Sequence, residues 1–135
     1  MPTPSRIGRS IVALLAGFVF TAVLHTVTDL VMHAMGVFPP QRQPMSDALF
    51  GLAFAYRLII SIGGCYLTAR LAPHHPMRHA LIGGAIGLVL SVVGAIVTWN
   101  KGPEFGPHWY PILLAVTAVP IAWLGGKLHE RLSAK

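Results

Sequence analysis

Three residues whose side chains suit proton or metal chemistry recur at intervals of four along one apolar stretch. In the segment TAVLHTVTDLVMH, these residues are His25, Asp29 and His33. A spacing of four places all three on the same face of an α-helix. Imidazole and carboxylate groups on one face can exchange protons, bind a metal ion or pair with a basic residue.

Arg57 is the expected partner of Asp29, because it is the basic residue near the middle of a second apolar stretch. A lone acid or base at mid-membrane depth costs about 2.5–3.5 kcal/mol, so such residues pair and face the bundle interior. A rise of about 1.5 Å per residue puts His25 level with Arg57 and one turn below Asp29. Tyr56 and Thr28 adjoin these residues and are expected to supply hydrogen bonds.

The elements that must position these residues are membrane-spanning helices. Of the 135 residues, 54% are hydrophobic and 10% are charged. Soluble domains average about 45–50% apolar residues and about 25% charged residues. Four apolar stretches reach the roughly 20 residues that cross a bilayer. The sequence predicts an all-α integral membrane protein, with one domain over residues 1–135 and antiparallel hairpins. The expected spans of this four-helix bundle are residues 10–35, 47–71, 77–99 and 109–126.

Caps and helix breakers predict where these helices begin and end. Gly36 is expected to end the first helix, and Ser46 is expected to cap the second at its N-terminus. The pair Gly125 and Gly126 is expected to end the fourth helix, with a kink at Pro120.

Small residues in the predicted helices favour close approach of their backbones. Gly, Ala and Ser at intervals of about four permit such packing in lipid. The glycine-rich side of the third helix is expected to serve either packing within the bundle or association with another copy or a larger membrane complex. The predicted packing positions are Gly63, Gly64, Gly84, Gly87, Ser91 and Gly94.

The excess of basic residues predicts how the protein is oriented in the lipid bilayer. We expect no nucleic-acid partner. Ten Lys and Arg residues stand against four Asp and Glu, and the basic ones flank the apolar stretches. Cytoplasmic loops carry the excess of Lys and Arg. We therefore expect both termini in the cytoplasm. The basic residues on the cytoplasmic side would be Arg6, Arg9, Arg70, Arg78, Lys127, Arg131 and Lys135. The basic residues on the opposite side would be Arg42 and Lys101.

The segments from Gly63 to Trp99 and from His108 to Leu132, with the pairs Thr28-Asp29 and Tyr56-Arg57, resemble small bacterial inner-membrane proteins of unknown function. This resemblance implies four helices in the bacterial inner membrane and carries over no catalytic residue. The size of the chain and its layout of four spans are also similar to those of small multidrug resistance transporters. Those use a membrane-embedded Glu in their first helix, whereas here the acid is an Asp closer to the outer face, and their other motifs are absent.

Three functions follow from these patterns. The leading expectation is a non-catalytic helical subunit or self-associating membrane protein whose cluster of His25, Asp29 and Arg57 organises the bundle. The second is a proton- or ion-coupled small transporter or channel in which Asp29 titrates and His25 relays. The third is a protein that binds a metal through His25, Asp29 and His33, or haem through the two histidines. No cofactor is expected, and no nucleophile has a neighbouring base.

Overall fold

The computed structural model describes residues 4–40, 45–102 and 106–133, and they form four long helices. Each helix is long and apolar enough to cross a membrane. The predicted all-helical fold is confirmed, and the four apolar helices are those of a multi-pass membrane protein. In chain order the helices are α1 (Pro4–Ala34), α2 (Asp47–Leu71), α3 (Pro76–Thr98) and α4 (Trp109–Ser133).

The outer surface of every helix carries exposed aliphatic side chains. Ile59 on α2 and Ile96 on α3 are each 71% exposed, and Val12 on α1 and Val116 on α4 are 60% and 64% exposed. A soluble monomer rarely exposes apolar patches of such extent. Lipid is the solvent in which this surface is stable.

The helices α1 and α2 approach closely where small residues face each other. A Cβ atom at Gly17 would lie 2.7 Å from the carbonyl oxygen of Gly64, and a Cβ atom at Gly64 would lie 3.0 Å from that of Gly17. The same Cβ atom at Gly64 would overlap the Thr21 hydroxyl. Any side chain at either position would push the two backbones apart. Gly64 was among the predicted packing residues, and Gly17 was not.

The glycines of α3 divide into two groups. A Cβ atom at Gly84 would lie 3.1 Å from the carbonyl oxygen of Ala118 on α4, and one at Gly87 would just touch the Ala118 side chain at 4.0 Å. At Gly94 a Cβ atom would meet no described neighbour within 4 Å. Of the predicted glycines of α3, Gly84 and Gly87 therefore lie against α4, and Gly94 faces outward.

The fourth helix does not end at Gly125 and Gly126, as the sequence suggested, but continues to Ser133. A Cβ atom at Gly125 would lie 2.8 Å from the backbone nitrogen of Tyr66 and 2.9 Å from the carbonyl oxygen of Ile62. Gly125 therefore permits close packing on α2, a Cβ atom at Gly126 would meet Met77 and Ala80 of α3, and both glycines remain helical. By contrast, Gly36, just after α1, has a φ of 77° and ends that helix as expected.

Candidate functional site

A half-buried ion pair joins α1 to α2 near the C-terminal end of α1. The Tyr56 hydroxyl donates a hydrogen bond to Oδ1 of Asp29, and Nη2 of Arg57 donates to Oδ2. The side chains of Arg57 and Asp29 are 25% and 31% exposed, so most of each is covered by protein. Both carboxylate oxygens thus have a donor, and the acid and base neutralise each other.

His25 lies one turn before Asp29 on α1 and contacts the backbone of α2. Its Nε2 is 3.4 Å from the carbonyl oxygen of Arg57 and 3.5 Å from Oγ of Ser61. A carbonyl oxygen only accepts, so Nε2 carries the hydrogen in the contact with Arg57. His25 therefore joins the cluster through the backbone, and it does not touch the Asp29 carboxylate through a described hydrogen bond.

The loop after α1 covers the ion pair on one side. Phe38 is only 4% exposed and stacks on the ring of Tyr56, with the ring centroids 6.4 Å apart. His33 meets Phe38 edge-on at 5.4 Å, and its Nδ1 donates to the carbonyl oxygen of Pro39 at 2.9 Å. The sequence analysis missed this cover, although an aromatic residue between Gly36 and a proline was a signal that the loop packs inward.

The residues predicted for the site are therefore brought together in part. Asp29, Arg57, Tyr56 and His25 form one cluster, which we call the ion-pair cluster. Thr28 is half-buried on α1 and makes no hydrogen bond to the described members of this cluster. His33 faces the loop instead, because its Nδ1 donates a hydrogen bond to the Pro39 carbonyl oxygen.

The described residues offer little support for a metal site. Within that part of the chain, no three His, Cys, Asp or Glu side chains are placed to hold one ion. Of the predicted ligands, Asp29 is held by Tyr56 and Arg57, and His33 by the loop carbonyl. No observation favours metal or haem binding over the other interpretations.

A cavity of about 300 Å³ adjoins the ion-pair cluster and extends between all four helices. His25 and Arg57 lie at its wall, and Nε of Arg57 is buried without a hydrogen-bond partner among the described atoms. Most of the lining is apolar, and hydroxyl groups are spread along it. These hydroxyls belong to Thr21, Ser61, Thr68, Ser91 and Thr117.

Comparison of the chain with protein-family models, with curated proteins and with solved structures finds no match. The resemblance to small bacterial inner-membrane proteins therefore gains no support from these comparisons. The geometry of the helices and of the ion-pair cluster is therefore the basis for inferring a function.

Proposed function

We propose that this protein is a non-catalytic helical subunit, or a self-associating protein, of the bacterial inner membrane, in which the ion-pair cluster fastens α1 to α2. The observation that carries the proposal is the complete engagement of the Asp29 carboxylate by Tyr56 and Arg57. A carboxylate whose two oxygens both have protein donors is occupied in holding the helices together. Its charge needs no external ligand.

The proposed arrangement is antiparallel, with both termini in the cytoplasm. Contacts between α1 and α2 pair Gly17 with Gly64 and Asp29 with Arg57, so residue numbers fall on α2 as they rise on α1. This order supports an antiparallel pair. Basic residues near the start of α1, the end of α2, the start of α3 and the end of α4 support a cytoplasmic location for that end of the bundle. The described ones are Arg6, Arg9, Arg70, Arg78, Lys127 and Arg131, while Lys135 and Arg42 lie outside the described residues.

Association is proposed to use the outward-facing part of α3. Gly94 has open space where a side chain would lie, in a helix of exposed aliphatic residues. A second helix can approach the backbone closely at such a position. The test is the mass of the protein extracted in lipid nanodiscs, measured by native mass spectrometry.

We expect the wild-type protein to carry either a second copy or a co-purified membrane protein in fixed ratio. Gly94→Leu should release a monomer, since the larger side chain blocks close approach. Gly51→Leu is the matched control, because Gly51 on α2 also faces open space within the described structure. A wild-type protein that is monomeric and free of partners would contradict the proposal.

A second candidate function is proton- or ion-coupled transport, and the cavity beside the ion-pair cluster favours it. Hydroxyl groups along an otherwise apolar cavity can hold water next to His25 and Arg57. In proteoliposomes with a trapped pH indicator, this candidate requires a proton-linked flux that Asp29→Asn abolishes while the protein stays folded. Asp47→Asn, at the start of α2, is the control. Absence of flux, or equal flux from Asp29→Asn, excludes this function.

A further inference from the structure

A second group of polar residues lies between α1 and α3, far from the ion-pair cluster. A groove of about 360 Å³ runs there, and its polar end is formed by Ser10, His74, Arg78 and His79. On α1, Ser10 and Asp29 are 19 residues apart, or about 28 Å along a helix. We call this feature the α1–α3 groove.

His79 forms the floor of the α1–α3 groove. It is 6% exposed, and its Nδ1 donates to the carbonyl oxygen of His75 at 3.1 Å. Its Nε2 is 2.9 Å from Oγ of Ser10, so in the neutral ring this nitrogen accepts from the Ser10 hydroxyl. Both ring nitrogens are thereby used to join α1 to α3. His79 shapes the groove and has no nitrogen left for a ligand.

His74 differs from His79, because it has an unused polar atom. Its ring meets that of His79 edge-on at 5.3 Å, and its Nδ1 is buried without a hydrogen-bond partner in the described structure. Buried polar atoms are nearly always paired, and exceptions require an explanation such as a missing ligand. The exposed side chain of Arg78 lies at the same end of the groove.

The charge at this end of the groove is positive, and no acid among the described residues lines it. Of the acids in the described ranges, Asp29 pairs with Arg57, Glu130 pairs with Lys127 at 3.3 Å, and Asp47 lies at the start of α2. None of them lines the groove.

The surroundings of His74 disfavour its cation. Desolvation lowers the pKa of His74 below its ordinary value of 6.5, and positive neighbours lower it further. These neighbours are Arg6 from α1, His75 beside it, and His79 and Arg78 from α3. A bound anion would offset this repulsion.

The rest of the groove is apolar and open to the surroundings of the bundle. Its walls are formed by Ile7, Ile11 and Leu14 on α1 and by Ile82 on α3. Ile7 is 51% exposed, Ile11 is 52% exposed and Ile82 is 42% exposed. From Ile7 to Leu14 the wall is about 10 Å long, which accommodates the first part of an acyl chain. Positive charge at one end and an apolar wall beside it fit a ligand with an anionic head and an apolar tail.

We propose that the α1–α3 groove binds one anionic phospholipid. Arg78 and His74 donate to the phosphate, and the first carbons of one acyl chain lie along Ile11 and Ile82. Basic pockets between membrane helices near the cytoplasmic surface bind anionic head groups in this way. The apolar wall distinguishes the lipid from free phosphate, which would gain nothing from it.

The test uses the full chain, delipidated in detergent and titrated with defined lipids under native mass spectrometry. We expect one phosphatidylglycerol to bind, and phosphatidylcholine, which has no net charge, to bind at least about fivefold more weakly. Arg78→Gln should lower phosphatidylglycerol affinity about fivefold, since one positive charge near a head group is worth about 1 kcal/mol. Arg131→Gln removes the same charge from α4 and should leave affinity unchanged.

The apolar wall is tested separately. Ile82→Gln should weaken phosphatidylglycerol binding, whereas Ile96→Gln, on the exposed part of the same helix, should not. Millimolar inorganic phosphate should fail to displace the lipid. Equal binding of the two lipids, equal loss from Arg78→Gln and Arg131→Gln, or displacement by phosphate would each overturn the proposal. Because Ile82→Gln keeps every charge, it also tests the site if Arg78→Gln does not fold.

Discussion

The two polar regions along α1 treat charge in opposite ways. In the ion-pair cluster an acid and a base meet, and each carboxylate oxygen of Asp29 receives a hydrogen bond from α2. In the α1–α3 groove, Arg78 lies with His74 and His79, no acid among the described residues joins them, and Nδ1 of His74 has no hydrogen-bond partner in that part of the chain. A region whose charges are balanced within the chain holds helices together. A region whose positive charge is not balanced is expected to bind an anionic ligand.

Helix packing explains why the two regions differ. Along the interface of α1 and α2 the two backbones approach closely, because Gly17 and Gly64 leave room for each other. Between α1 and α3 the described contacts are sparser. A hydrogen bond joins Ser10 to His79, and a Cβ atom added at Gly83 would lie 4.0 Å from the Leu14 side chain. The wider separation leaves the groove open, and a lipid can fill it.

The largest expected effect comes from breaking the ion pair. Arg57→Ala leaves the Asp29 carboxylate at membrane depth with the Tyr56 hydroxyl as its remaining described donor. We expect the free energy of unfolding to fall by up to about 2.5–3.5 kcal/mol, which is the cost of an unpaired charge at the centre of a membrane-spanning helix. The measurement is unfolding of the detergent-solubilised protein by sodium dodecyl sulfate.

The double variant Asp29→Ala, Arg57→Ala should recover part of that loss, since it leaves no charge unpaired. Arg78→Ala is the comparison from the groove, and because Arg78 is exposed it should change stability little. If Arg57→Ala and Arg78→Ala are equally harmful, the contrast between balanced and unbalanced regions is wrong.

A smaller effect is expected within the cluster from Tyr56→Phe. The change removes the donor to Oδ1 of Asp29 and keeps the ring that stacks on Phe38. A hydrogen bond to a charged group contributes about 1.5–3 kcal/mol, and we expect a loss near the lower end because Asp29 retains Arg57. Tyr66→Phe, which removes an exposed contact with Arg70, should have almost no effect. Equal unfolding curves for the two variants would contradict the assigned role of Tyr56.

In the groove the corresponding structural test is Ser10→Ala. The hydroxyl of Ser10 bonds to Nε2 of His79, which is 6% exposed. Losing it leaves that nitrogen unpaired and should cost about 1 kcal/mol. Ser133→Ala removes a similar contact with His129 that is exposed and lies within one helix. A loss of stability in Ser133→Ala as large as in Ser10→Ala would show that the hydrogen bond between α1 and α3 contributes no more than an exposed contact within one helix.

The sequence predicted the helices well where their ends depend on local chemistry. The second helix begins at Asp47 as expected, because the Ser46 side chain accepts from the Leu49 nitrogen at 3.3 Å, and it ends at Leu71, which was also expected. The end of α4 was wrong, since Gly125 serves contact with α2 and remains helical. A glycine that ends a helix and one that packs against a neighbour look the same in a sequence.

The site shows the same limit. Asp29 and Arg57 are brought together as expected, because in lipid each requires the other. His33 shares the four-residue spacing of His25 and Asp29, yet it bonds to the Pro39 carbonyl, because of how the loop folds. The α1–α3 groove was not predicted, because adjacent histidines between two prolines are typical of a solvated turn. Its apolar wall becomes visible only when α1 and α3 are neighbours.

The smallest expected effect is a pH dependence that arises from His74 in the groove. Desolvation and the positive charges of Arg6, His75, His79 and Arg78 lower the pKa of His74 below 6.5. The unfolded chain therefore binds a proton on His74 at a higher pH than the folded protein does. Stability from this residue is fully present above about pH 6.5 and is lost as the pH falls below that value.

His74→Asn should flatten this dependence in lipid-free detergent, so that wild type and variant differ more at about pH 5.5 than at about pH 7.5. Unfolding midpoints at the two pH values measure it. Adding phosphatidylglycerol should reduce the difference in the wild type, because a phosphate beside His74 favours its cation, whereas phosphatidylcholine should not. If the two lipids act alike, the groove does not bring an anionic head group to His74, and its positive charge is a feature of helix ends alone.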